Sequence, residues 1–488
     1  MRHFLTCSAM THGLPVRENA PTHSWRIVVI LLLYLLLGGS DLTSQVTENV
    51  YHELGVLAKN NGKWPTPPES LIAFRNTQKV PELRRHAWQL LAGLTARSIV
   101  ADPKSLPIWE TWYTKDETFV SPPACITGVL RGPIHRKLEM PLEIVAAIQS
   151  EAYLNDEDAS KSALDYFSQV DKSIHSNVLY NAAACEHIDR FGLTNLAGLQ
   201  MQFKQLNAPA AEWSIPPFPS DSVIVKAFWK GVFHNKDNTL KVWDPPDPNR
   251  PNCHEGCSRT VKLRVAAAGE PCKPNKDFIP TSCFYNVPVT RDNLGEMLAA
   301  WPVNPGDVMI LVAFHVITKE VPDWTWSTFW WHDKPDVGTF AEGRLDEIQG
   351  SWRNYLMDTT LSMETPWEST ATQGRARGDI RDACGQNWEM PSRDKICFNP
   401  YLEHAVGGAT NAALSNCMNC HIRSTFVIPA GQDMRGIAWR GYLSSDAPCL
   451  AGRLRLDYLW SLPHETHQSL QEFMLHLNEN IRNQFKLR

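Results

Sequence analysis

Ser222 to Phe233 reads SVIVKAFWKGVF, a run dominated by β-branched and aromatic residues. That composition suits a pleated, packed strand better than a helix. Leu240–Trp243, Val261–Ala267, Val308–Val316 and Trp324–Trp331 are further runs of the same kind, separated by Pro, Gly and Asn. Their period-2 alternation is only partial, as expected where strands are covered on both faces. Residues 208–340 are therefore expected to form a β-rich, sandwich-like middle domain.

On the N-terminal side the character is different. Val80-Pro81-Glu82 opens a run through Leu83, Ala87, Trp88, Leu91 and Leu94 whose apolar spacing predicts a helix entered at Pro81. Pro141–Tyr153, Ala163–Val170 and Asn177–Gly198 read similarly, the last broken near Gly192. Ala208 to Pro219 is proline-rich and reads as a linker or long loop. On the C-terminal side Leu345–Met357 looks helical, residues 366–395 look like a polar loop, and Leu470–Phe485 carries Leu470, Phe473, Met474, Leu477 and Ile481 on one helical face. The fold class expected is α+β.

The chain has 488 residues, 43% of them hydrophobic, which is enough for two or three buried cores and excludes a disordered protein. Lys+Arg 47 against Asp+Glu 52 gives no basic excess, so nucleic acid is not an expected partner. Ile27 to Leu37 (IVVILLLYLLL) follows Arg2, Arg17 and Arg26 and precedes Gly38-Gly39-Ser40. The run is short for a spanning helix, which needs about 20 apolar residues, and reads as a signal peptide over residues 1–40. Uncleaved, it would be an inner-membrane anchor. The expected location is therefore periplasmic or otherwise exported, with membrane contact only through this segment.

Cys417-Met418-Asn419-Cys420-His421 is a C-x-x-C-H sequence. Two thiols separated by two residues can reach two vinyl groups on one porphyrin edge, and the adjacent His then sits under the iron. With 12 Cys and 17 His placed at random, about 0.01 such pentads would be expected. The competing readings are a redox disulfide and half of a zinc site. No second Cys/His pair of similar spacing is obvious for zinc, and no βαβ context for a thioredoxin-like disulfide. Export agrees with haem, because c-type haem is attached outside the bacterial inner membrane.

The segment around Cys417–His421 resembles the haem-binding stretch of c-type cytochromes. Pro429, eight positions after His421, stands somewhat closer than the proline whose carbonyl often supports the proximal His there, and the helix from Leu470 resembles the terminal helix of a small cytochrome c domain. Separately, His315–Trp331 (HVITKEVPDWTWSTFWW) looks like a signature of poorly characterised exported bacterial proteins that also end in C-x-x-C-H. The resemblance covers about residues 310–465. It implies one covalent haem c on Cys417 and Cys420, with His421 as proximal iron ligand, in a helical, cytochrome c-like region spanning residues 341–488. Residues 41–207 complete the division as a mainly helical region.

The sixth iron ligand is open. Met434 is close to the motif, Met474 sits at a core-like helix position, and His464 and His467 lie at a plausible remove in an exposed-looking segment. His315 could reach across a domain interface as a distal ligand, or be a hydrogen-bonded strand histidine. The role implied is one-electron transfer with a redox partner protein. The alternatives are a haem-dependent oxidoreductase or small-gas sensor with an open sixth site, and a ligand-binding β-domain with a tethered haem.

Cys253-His254-Glu255-Gly256-Cys257 has the wrong order for haem attachment. It reads as a short disulfide loop, or as two cysteines bonded to Cys272 and Cys283, with a Cys/His metal site as the lesser reading. Cys384 and Cys397 look like disulfide partners, and Cys185 like a buried thiol left over from an odd count. Trp324, Trp326 and Trp330 share parity, so a strand would place them on one face with Trp331 opposite. They read as a domain core or as a wall against a flat ligand. Glu403, His404 and Asp333 read as surface or hydrogen-bonded groups.

Overall fold

A computed structural model describes residues 65–77, 79–96, 106–127, 174–205, 209, 213–244, 257–294, 303–336, 338–361, 364–365, 393–394, 397, 399–401, 416–427, 431–432, 443 and 447–462. In chain order the strands are β1 (Tyr113–Thr114), β2 (Ile174–Tyr180), β3 (Val223–Val232), β4 (Asn238–Asp244), β5 (Cys257–Arg264), β6 (Ile279–Pro280), β7 (Asn286–Pro288), β8 (Val308–Thr318), β9 (Thr325–Trp331), β10 (Tyr355–Thr360), β11 (Glu364–Thr365), β12 (Arg393–Asp394), β13 (Thr425–Val427), β14 (Gly431–Gln432) and β15 (Leu454–Arg455). The helices are α1 (Pro68–Asn76), α2 (Val80–Thr95), α3 (Lys115–Thr118), α4 (Ala124–Thr127), α5 (Ala182–Arg190), α6 (Leu196–Lys204) and α7 (Cys417–His421).

The frame is a seven-stranded antiparallel sheet ordered β1-β2-β3-β8-β9-β10, with β7 also on β8. β7 pairs with residues 308–310 of β8 and β9 with residues 313–318, so the two strands share one edge of β8. β3, β8, β9 and β10 are buried along nearly their whole length. Covering both faces removes the need for polar residues at alternate positions, which is why these runs read as almost continuously apolar. β4 and β5 alternate buried and more exposed residues and form a separate small sheet with β6.

One sheet face is covered by α2 and the Ile108–Thr111 turn. Trp88 of α2 lies 5.9 Å from Phe329, and Trp109 stacks on Phe314 at 6.4 Å with planes 4° apart. The opposite face carries three successive rows of side chains, set by the pairing register. The first row is Tyr180, Ile224, Ile317 and Trp326; the second is Val178, Lys226, His315, Thr328 and Asp358; the third is Ser176, Phe228, Ala313, Trp330 and Leu356. The small β4–β5–β6 sheet rests on the third row, where Trp330 meets Trp243 at 6.5 Å and Phe340 at 5.1 Å. The segment from Cys417 to Leu462 rests on the first row, in a core holding Cys417, Met418, Phe426, Leu454, Leu456, Leu459 and Leu462.

Several sequence expectations are corrected. The α+β class with a helical, cytochrome c-like C-terminal segment is overturned: the described chain is β-rich, its helices lie mostly N-terminally, and residues 425–455 contribute a β14-β13-β15 sheet. The C-terminal stretch is punctuated by Pro448 and by Gly452 at φ 76, which stop helices. Leu345–Met357 is a turn followed by β10 rather than a helix. Asn177–Tyr180 belongs to β2; the helix begins only after Asn181, whose side chain accepts from the Ala184 N–H at 3.1 Å. Trp213 to Pro219 is no linker: its main chain pairs beside β15 through Ile215 N–H to Arg455 O and Arg455 N–H to Trp213 O, both 3.0 Å. Pro141–Tyr153, Ala163–Val170, Leu470–Phe485 and the signal segment at residues 1–40 lie outside the described residues. The sheet takes strands from each of residues 41–207, 208–340 and 341–488.

Candidate functional site

α7 is the Cys417–His421 pentad itself. Cys417 and Cys420 stand three residues apart, which places them on neighbouring positions of one helical turn, with His421 next in line. Cys417 is buried, and its N–H donates to the Cys397 carbonyl at 3.2 Å, where Cys397 and Asn416 form a parallel bridge. Met418 is also buried, and the Asn416 side chain accepts from its N–H at 2.9 Å.

His421 Nδ1 donates to the main-chain carbonyl of Tyr458 at 2.7 Å. Fixing the proton on Nδ1 puts the lone pair on Nε2, the state of an imidazole that binds metal. The carbonyl is delivered by an unusual turn. Asp457 and Tyr458 have φ of 48° and 69°, a left-handed pair that non-glycine residues seldom adopt. Lys319, at the end of β8, holds that turn through a 2.6 Å ion pair with Asp457, both side chains under 10% exposed. The same ammonium donates to Pro322 O and lies 5.2 Å from the centre of the Trp324 ring. Burial pushes the Tyr458 phenol well above its ordinary range, and Asp323 beside it adds to the shift.

Trp326 of the first row sits against His421, ring centres 4.6 Å apart, and its Nε1 donates to Asp323 O at 2.9 Å. Trp324 precedes β9 rather than belonging to it, at φ 62, and joins the same core as Trp326. Trp330 and Trp331 belong to the other core, so the tryptophan cluster is divided between two packing regions. The parity argument holds for Trp326 and Trp330 and fails for Trp324, which lies outside the strand.

His315 lies on the same sheet face as Trp326, one row away, flanked by Lys226 and Thr328. Phe228 meets its ring edge-on at 5.2 Å and lies 5.5 Å from the Lys226 ammonium. Asn399 donates to the Thr328 hydroxyl at 2.7 Å. A polar row thus crosses the sheet between the two layers that cover this face. Met434, Met474, His464, His467, Pro429, Glu403 and His404 lie outside the described residues. The carbonyl that orients His421 comes from Tyr458, a residue the sequence offered no reason to single out.

No family model, curated protein or solved structure matches this chain. The residues present can still be tested for fit to the haem the motif implies. An imidazole on the turn that Cys417 opens, with Nδ1 already committed to a carbonyl, suits a single axial nitrogen beside the motif. In the neighbouring core and turn, Ser424 Oγ and Trp324 Nε1 are buried polar groups with no hydrogen-bond partner among the described residues, donors of the kind that carboxylate-bearing ligands satisfy. Among the described residues no group of three or more His, Cys, Asp or Glu side chains converges as a metal site.

The remaining cysteines differ from expectation. Cys185 is bonded to Cys125, and Cys272 to Cys283, so neither is available to Cys253 or Cys257. Cys257 and Cys449 each take part in a further disulfide. Cys397, expected to pair with Cys384, instead places its sulfur 3.9 Å from that of Cys417. These bridges agree with an exported chain, since disulfides persist in oxidising compartments. Among the described residues no helix is long and apolar enough to cross a membrane. Asp333 proves structural: Arg259 links it to Asp244 of β4, tying the small sheet to the end of β9.

Proposed function

We propose that this is a periplasmic c-type haem protein carrying one covalent haem, bound through Cys417 and Cys420 with His421 as proximal ligand. The observation that carries the reading is the Nδ1 bond from His421 to the Tyr458 carbonyl. A carbonyl in that place fixes ring orientation and tautomer and raises ligand basicity. Haem held this way supplies a one-electron couple. The chain's part is to anchor it by two thioethers, orient the imidazole, and shield it with Trp326 and the Met418 core. The partner is then another redox protein that docks near the haem edge.

A second reading rests on the polar row. Lys226, His315 and Thr328 share the sheet face with Trp326, and Thr328 and Asp358 are almost wholly buried. Polar groups on the distal side favour binding or activation of a small ligand over electron transfer. On this reading His315 would be the residue to hold the sixth position or to donate a hydrogen bond there.

Spectroscopy on protein made in a host with cytochrome c maturation tests both. Haem that survives denaturation, absent in Cys417→Ser/Cys420→Ser, supports covalent attachment; haem lost on denaturation sinks it. A ferrous form indifferent to carbon monoxide favours electron transfer. Ready carbon monoxide binding favours the second reading.

A further inference from the structure

Cys397 and Cys417 have their sulfurs 3.9 Å apart, and Cys417 Sγ also points at the Cys397 carbonyl at 3.4 Å. The main chains are already joined by the Cys417 N–H to Cys397 O bond and the Cys397–Asn416 bridge. Closing a disulfide requires the sulfurs to move from 3.9 Å to the roughly 2.05 Å of a bond, between two segments that the main chain already holds side by side.

We propose that Cys397 is a third, resolving cysteine of the haem motif, forming a disulfide with Cys417 that withholds Cys417 from haem until it is reduced. The inference rests on the haem reading for its role. The oxidant is a protein or glutathione disulfide. Cys417, the less buried of the two, attacks as thiolate one sulfur of that disulfide and expels the other as a thiolate. Cys397 then attacks the Cys417 sulfur of the mixed disulfide, releasing the second oxidant thiol. Two electrons and two protons leave the pair, and the oxidant gains them as two thiols. A dithiol reductant reverses the sequence. Thioether formation, by contrast, adds S–H across a vinyl double bond with no electrons lost, so it needs Cys417 as a thiol. Cys417 cannot occupy both bonds at once.

The full chain made without haem attachment and treated with oxidised glutathione tests the pairing. After alkylation under denaturing conditions, peptide mapping should find Cys397 linked to Cys417. In a maturation-competent host, added oxidant should lower covalent haem per chain roughly tenfold in the parent and much less in Cys397→Ser. Cys397→Ala and a melting curve for each variant separate this effect from misfolding. If the chain takes haem but Cys417 is linked to Cys420, or both thiols are alkylated, the proposal falls and the haem reading stands. If Cys397 and Cys417 are linked but the matured chain never carries covalent haem, the haem reading falls and the gating role with it.

Discussion

Lys319 Nζ lies 2.6 Å from Asp457 Oδ1, although the two residues are 138 positions apart in the chain. The pair ties the end of β8 to the turn that presents the Tyr458 carbonyl to His421. Asp457 also accepts from the Phe218 N–H at 3.4 Å. The sheet therefore sets the imidazole's orientation through one buried ion pair and one strained turn.

Breaking that pair should be costly, because removing one partner leaves a charge buried and uncompensated. Asp457→Asn is expected to lower stability by about 3 kcal/mol, and Lys319→Met/Asp457→Leu together to recover part of the loss. Denaturant melts of the parent, Asp457→Asn and the double variant check this. In haem-loaded protein, Asp457→Asn should also shift the reduction potential, while an equally destabilising core variant far from α7 should not.

Gly198 marks a close approach between α6 and the turn that ends α5. A Cβ added there would overlap the Gly192 carbonyl oxygen, and Gly192 itself is at φ 64. Backbone cannot move aside as a flexible side chain can, so Gly198→Ala should destabilise by about 2 kcal/mol or more. An unchanged melting temperature would show that the approach is looser than the structure has it.

Acid should weaken the junction between α2 and β8. Glu320 is buried, and burial alone would raise its pKa. The charge and hydrogen bond of His86, the Thr318 hydroxyl and the Thr66 N–H outweigh that and hold it below the ordinary 4.5. A carboxylate depressed in the folded state contributes stability that is full above its unfolded pKa and is lost as pH falls through and below that value. Melting temperature should therefore drop on acidification below about pH 5. Glu320→Gln should be less stable than the parent at pH 7 and show a shallower acid decline.

Trp326 fills the space between the sheet and His421. Trp326→Ala should cost about 3–5 kcal/mol through the cavity it leaves. Trp326→Phe should restore much of that stability. If carbon monoxide binding by haem-loaded protein rises in Trp326→Ala but not in Trp326→Phe, the indole is a steric shield; no rise in either would confine it to packing.

The sheet was legible where strand composition was dense. SVIVKAFWKGVF became β3, Val308–Val316 lies within β8, and Thr325–Trp331 became β9, because β-branched and aromatic side chains fill both covered faces. Pro81 likewise marked the start of α2. Leu345–Met357 misled because Leu345, Ile348, Trp352, Leu356 and Met357 mimic helical spacing; Gly350 at φ 63 ends any such helix before β10 begins. The proline-rich Trp213–Pro219 misled for the opposite reason. Proline forbids donating to a ladder but not accepting, and only the neighbouring Trp213 and Ile215 supply the pairing. Of the site, the pentad was visible because its chemistry is local. The Tyr458 carbonyl, the Lys319 anchor and the Cys397 sulfur were not, since each is brought in by tertiary contact alone.

The bond from His421 to Tyr458 spans 37 residues, from α7 to the turn beyond β15. During synthesis the pentad emerges well before that turn exists. A chain halted between the two would hold both thiols and the imidazole yet have nothing to aim the ring. Haem attached at that moment would meet a histidine free to rotate, whereas attachment after folding meets one already aimed. Under the proposed haem attachment, the position of a single carbonyl would make productive capture depend on the folding of a segment that follows the pentad.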